Sequence, residues 1–152
     1  MNVRFFNYGF SADVDVVRKV VLYVVAQLKE VDVKRLMYVM YLVDRELYYV
    51  AGFTLFGWKF TFGGLRSFDV YNVADELMDL GYLDKVVGDK DVVYRFRRGS
   101  VEVKLHKQLK DVVDKVLEKV GGVEDLEEYV LKVLDQNVVE GELMKVVNKA
   151  GV

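Results

Sequence analysis

Residues 33–83, VKRLMYVMYLVDRELYYVAGFTLFGWKFTFGGLRSFDVYNVADELMDLGYL, decide the fold. Asp32 stands just before this stretch and can cap a helix. Leu36, Val39, Met40, Val43, Leu47 and Val50 then recur at steps of three and four, so the helix runs to Gly52. A different face of it carries Lys34, Tyr38, Tyr41, Arg45 and Tyr48. Phe53 to Phe62 reads as extended: Trp58, Phe60 and Phe62 share one side, Lys59 and Thr61 the other. Gly57 marks a bend, and Gly63-Gly64 a turn. Ser67 caps a third helix, Phe68 to Leu80, which Gly81 stops.

Upstream, Ser11 can cap a helix whose first turn holds Asp13 and Asp15, matching the helix dipole. Val14, Val17, Val21, Val24, Val25 and Leu28 follow at helical spacing. Val16, Val20 and Tyr23 make this helix apolar on most sides, which places it in the core. Downstream, 82–87, 92–97 and 101–104 read as three short strands. Gly88-Asp89-Lys90-Asp91 and Arg98-Gly99-Ser100 supply their turns. Leu105, Leu109, Val112, Val116 and Val120 then mark a helix that Gly121-Gly122 ends, with Lys110–Asp114 and Asp111–Lys115 spaced to pair along it. Leu126, Val130, Val133 and Leu134 mark another helix, and Leu143, Val146 and Val147 a shorter terminal one.

The expected fold is α+β. A winged-helix-like core over 1–104, with helices near 12–30, 32–51 and 68–80 and a small antiparallel wing, precedes a C-terminal helical extension over 105–152. The extension is expected to pack on the core in one compact domain, and it is a candidate for mediating a homodimer.

Composition removes several chemistries. The 152 residues include no cysteine, which excludes disulfides, thiolate metal sites and a cysteine nucleophile. His106 is the single histidine, so no multi-histidine metal site can form within one chain. The N-terminus has no basic region followed by an apolar run, and Val20 to Ala26 is far shorter than the ~20 residues of a membrane span. A cytoplasmic protein without membrane contact is expected. Valine abounds while isoleucine and proline are absent, for which folding gives no reason. The 30% charged content leans toward a thermophile, whereas loops without proline lean away.

Residues 33–83 also resemble a known family. Val33-Lys34-Arg35-Leu36-Met37-Tyr38 and Tyr41-Leu42-Val43-Asp44-Arg45-Glu46 carry the likeness. Gly52, Trp58 to Phe62, Gly63, Ser67 and Leu80-Gly81-Tyr82-Leu83 continue it. The stretch is similar to the SocA-like family of phage-associated proteins, also called Panacea antitoxin domains, and to the related YwgA-type proteins. The resemblance implies a regulatory or antitoxin-like protein that binds a partner protein. It carries no catalytic residues over.

Two surfaces are candidates for function. The third helix holds Asp69, Asp75, Glu76 and Asp79 and no lysine or arginine. In a helix-turn-helix this element lies in the major groove, where carboxylates oppose phosphates. The wing is basic instead: Arg95, Arg97, Arg98, Lys104, Lys107 and Lys110 face only Glu102 within sixteen residues. Arg95 and Arg97 alternate with Tyr94 and Phe96 and should point to solvent. A basic hairpin can follow a nucleic-acid backbone, dock an acidic protein, or simply be solvated. The Tyr38–Tyr41–Arg45–Tyr48 face is the second candidate, because tyrosine and arginine are enriched where proteins bind. Tyr41 and Arg45 are spaced to stack, or the face packs against other elements with its hydroxyls reaching water. Asp44 and Glu46 point to different sides of the helix, which argues against an acid/base pair. Gly63-Gly64 lacks the lysine and spacing of a phosphate-binding loop.

The reading that follows is a non-enzymatic regulatory module acting through protein contacts, without cofactor or metal. The alternative is a DNA-binding transcriptional regulator that uses the basic wing.

Overall fold

A computed structural model describes residues 14–61, 64–89, 91–97 and 103–140. Two helices occupy the centre. In α1 (Val14–Leu28), six consecutive residues from Val20 to Val25 are buried, as a helix apolar on most sides demands. In α2 (Val33–Ala51), every residue from Leu36 to Asp44 is buried. Asp32 caps α2 by accepting the Arg35 N–H at 2.7 Å. Gly52 ends it at a φ of 80°, donating its N–H to the Tyr48 carbonyl at 2.9 Å.

Between the two helices lies β1 (Glu30–Asp32). Lys29 turns the chain into it with a left-handed φ of 70°. β1 pairs antiparallel with β5 (Val92–Phe96), which pairs antiparallel with β4 (Leu83–Val87), giving the order β1-β5-β4. Val31 sits opposite Tyr94, and Leu83 opposite Phe96. Val31, Tyr94 and Leu83 all point inward and are buried. The third strand of this sheet therefore differs from expectation. Val103 and Lys104 carry no strand, and 101–102 lie outside the described residues. The link between α1 and α2 supplies the strand instead, because its extended backbone passes beside β5 and pairs its N–H and C=O groups there.

The aromatic segment is also more broken than its alternation suggests. Residues 53–58 form a loop, and only Lys59–Thr61 (β2) is strand. β2 pairs antiparallel with Gly64–Arg66 (β3), so a small hairpin precedes the third helix. Ser67 caps that helix, α3 (Phe68–Asp79), by accepting the Val70 N–H at 3.3 Å. α3 buries Val70, Val73, Ala74 and Leu77 against α1, and Arg18 on α1 reaches Glu76 at 3.0 Å. Leu80 is 56% exposed, because it is the cap residue where the helical repeat has ended.

Two further helices, α4 (Lys107–Gly121) and α5 (Leu126–Glu140), pack on α2. Val112, Val113, Val116 and Val120 form the buried stripe of α4. Tyr23 donates its hydroxyl to Asp114 at 2.6 Å, joining α1 to α4. Lys110 pairs with Asp114 at 2.8 Å, as its spacing predicts, whereas Lys115 leaves its own helix for Glu46 on α2 at 2.9 Å. The assembly is α+β and compatible with a winged helix that carries added helices. Among the described residues no helix is long and apolar enough to cross a membrane. The Ser11 cap, Arg98 and the terminal helix at Leu143–Val147 lie outside the described residues.

Candidate functional site

The tyrosine face of α2 does not lie on the surface along its whole length. Tyr38 is 3% exposed and Tyr41 fully buried, so neither offers contact area to a partner. The cause is α5 and the β2–β3 hairpin, which cover the N-terminal half of α2. The Tyr38 hydroxyl donates to Glu127 at 2.7 Å, and Lys34 meets the same carboxylate at 2.7 Å. Burial, then the Glu127 carboxylate, pushes the Tyr38 phenol up to about 12. Lys34 and then Tyr38 hold Glu127 below the usual carboxylate range. Tyr41 packs edge-on against Trp58 with ring centres 5.5 Å apart. Arg45 and Tyr48 are half-buried at the other end of α2. There Arg45 lies over the Tyr49 ring, 5.0 Å from its centre, which displaces the expected emphasis from Tyr41 to Tyr49.

That C-terminal end of α2 borders a cleft of about 580 Å³. Leu47, Val50 and Ala51 of α2 form one wall, Phe53 and Leu55 of the following loop another, and Leu109 and Val112 of α4 a third. Val16 of α1 closes the base. His106, Gln108, Asp111 and the Glu46–Lys115 pair stand among these apolar groups. Val50 is 65% exposed and Phe53 43%, with Tyr49 beside them at 54%. Three large apolar side chains are thus exposed within five residues of chain, and two of them, Val50 and Phe53, line an apolar recess.

The wall formed by residues 52–58 is fastened from beneath by one carboxylate. Asp44 is 0% exposed. Its Oδ1 accepts the Leu55 N–H at 2.7 Å, and its Oδ2 accepts the Phe56 N–H at 3.0 Å and the Trp58 indole N–H at 2.9 Å. Asp69 on α3 accepts the next amide, Gly57 N–H, at 2.9 Å. Four N–H groups of a loop without secondary structure are thereby satisfied. Burial pushes the Asp44 carboxyl up to about 7, against the lowering effect of its three donors. The sequence reading missed this role. Asp44 does follow Met37, Met40 and Tyr41 at helical spacing and precedes Leu47, and that pattern marks a carboxylate facing the core.

The charged surfaces are partly self-neutralised. Arg95 and Arg97 are about half exposed, as their alternation predicts. Arg95 lies 3.8 Å from Glu30 on β1, and Arg97 pairs with Asp84 on β4 at 2.5 Å. Arg97 holds Asp84 below the usual carboxylate range. Lys104, Lys107 and Lys110 are exposed. On α3, Asp75 and Asp79 face water, while Asp69 and Glu76 are engaged with Gly57 and Arg18. His106 caps α4 without a side-chain hydrogen bond and stands exposed beside the cleft. Among the described residues no cluster of three or more His, Asp or Glu side chains could hold a metal ion. No family model matches the chain, and neither the curated proteins nor the solved structures contain a match to it.

Proposed function

We propose that this chain is a non-enzymatic regulatory module that works by docking a protein segment in the cleft between α2 and α4. The cleft itself carries the reading: an apolar recess lined in part by exposed Val50 and Phe53, with exposed Tyr49 next to them in the chain. Burying such side chains at about 25 cal/mol per Å² is the usual source of protein–protein affinity. Arg45 and Tyr48 adjoin this end of α2 and belong to the proposed surface, whereas Tyr38 and Tyr41 do not. An antitoxin-like role, which the resemblance of residues 33–83 suggests, fits such a module. The acidic outer face of α3 supports protein company over duplex DNA.

The test places a photo-crosslinking residue at position 50 or 53 in cells and identifies the adducts by mass spectrometry. A discrete protein adduct is expected. Val50→Asp and Phe53→Asp should abolish its capture while circular dichroism stays unchanged. Capture that survives both substitutions refutes the cleft. The DNA alternative has its own assay, because salt-dependent binding of random duplex that disappears in Arg95→Ala/Arg97→Ala would favour the wing.

A further inference from the structure

Beside the cleft lies a smaller recess of about 20 Å³, between α2, α4 and α5. The Glu46–Lys115 pair lines both and partitions them. Arg45 of α2, Lys119 of α4 and Tyr129 of α5 complete its polar lining, while Leu42 and Val116 are its buried apolar part. Three cations thus meet one anion. Lys115 answers that anion at 2.9 Å, so the charges of Arg45 and Lys119 are left over. Arg45 is the telling residue. Its guanidinium lies over the Tyr49 ring, a contact that occupies none of its N–H donors. Its Nε is buried and has no hydrogen-bond acceptor among the described residues. A charged donor enclosed without an acceptor is costlier than a neutral one. An acceptor from outside the chain would remove that cost.

We propose that Arg45, Lys119 and Tyr129 form a carboxylate subsite of the cleft, and that the docked segment carries an acidic residue that reaches across the Glu46–Lys115 pair into it. Size favours this chemistry, because 20 Å³ takes about one water-sized group. One carboxylate oxygen would sit on the Arg45 Nε–H inside. The other would meet a neighbouring terminal N–H, the fork geometry that suits a planar carboxylate. Lys119, exposed at the rim, adds charge, and Tyr129 adds a hydroxyl that can donate. The partner this describes is a peptide segment whose apolar side chains fill the cleft and whose Asp or Glu lies beside them. The inference deepens the docking reading. Its claim about the partner rests on that reading, whereas the subsite stands without it.

Acetate is the probe for the subsite. Sodium acetate replaces sodium chloride at constant ionic strength, so that screening stays fixed. Nitrogen–proton correlation NMR follows the Arg45 Nε–H and the amides of Arg45, Lys119 and Tyr129. Saturating shifts centred on these groups are expected. Lys119→Gln should weaken acetate binding about two- to fivefold, and Arg45→Gln by about tenfold or more. Shifts that grow linearly, that appear at all arginines alike, or that Lys119→Gln leaves unchanged overturn the subsite. The wild-type titration decides even if Arg45→Gln does not fold. A displayed library of random peptides, selected on the wild type and on Arg45→Gln/Lys119→Gln, then tests the partner. Winners that depend on Phe53 should combine apolar residues with Asp or Glu, and should lose the acidic preference alone on the double variant. Winners without an acid would leave an adventitious anion site only and overturn the proposal. Winners indifferent to Phe53→Asp, or none at all, sink the docking reading instead, while the acetate titration still decides the subsite.

Discussion

Replacing Asp44 by asparagine asks which of two opposed forces governs a buried carboxylate. In the wild type, enclosure raises the carboxyl from 3.8 to about 7 while three N–H donors pull it down. A folded value above the unfolded one means that folding takes up a proton. The associated stability is fully present below pH 3.8, declines as pH rises, and is lost above about 7. At about 1.4 kcal/mol per pH unit, the interval amounts to about 4 kcal/mol. The Asp44→Asn side chain would present the same shape without a charge. Its carboxamide oxygen can accept two of the three donors, leaving one to bear a cost of about 1–3 kcal/mol at any pH. Urea unfolding followed by circular dichroism from pH 4.5 to 8.5 gives both stability curves. The wild-type curve minus the variant curve cancels groups common to both. That difference should fall with rising pH, at up to about 1.4 kcal/mol per unit, and level off above about 7. Parallel curves would show that Asp44 does not titrate there. A difference that rises with pH would show that the N–H donors prevail, and would refute the desolvation argument.

Other perturbations test the packing. Tyr38→Phe removes the hydroxyl that donates to Glu127 and should cost about 1 kcal/mol by urea unfolding, with a smaller loss when Glu127→Gln is already present. Gly64→Ala puts a side chain at a φ of 108°, with its Cβ 3.2 Å from the Tyr38 hydroxyl, and should destabilise by about 1–3 kcal/mol in the same assay. Lys29→Gly relieves a left-handed backbone and should raise the melting temperature by a few degrees, equivalent to about 1 kcal/mol. Phe56→Ala leaves a void beneath the loop and should cost about 3–5 kcal/mol.

Where a boundary depends on a single side chain, the sequence announces it. Asp32 and Gly52 delimit α2, and Ser67 starts α3, because each acts on backbone within three or four residues of itself. The centrality of α1 is legible too, since its valines and Tyr23 make it apolar on most sides. What escapes is set by neighbours distant in sequence. Glu30-Val31-Asp32 is too short to show alternation and becomes a strand only beside β5. Tyr38 and Tyr41 read as a surface because nothing nearby in sequence says that α5 will cover them. The cleft combines α1, α2, a loop and α4, so no single motif could disclose it. The solvent-facing Arg95 of β5 and Arg97 just past its end were legible by period, but their partners on β1 and β4 were not.

The position of β1 has a kinetic consequence. Its pairing of Val31 with Tyr94 encloses α2, the small hairpin and α3 inside one covalent loop. Closing that loop costs entropy before any hydrogen bond is gained. The β4–β5 hairpin and the helices can assemble from local contacts, whereas this seam waits for both ends of the loop to meet. Refolding should therefore be limited by the stitch at Val31, and Val31→Ala should slow it by more than an equally destabilising truncation in α4.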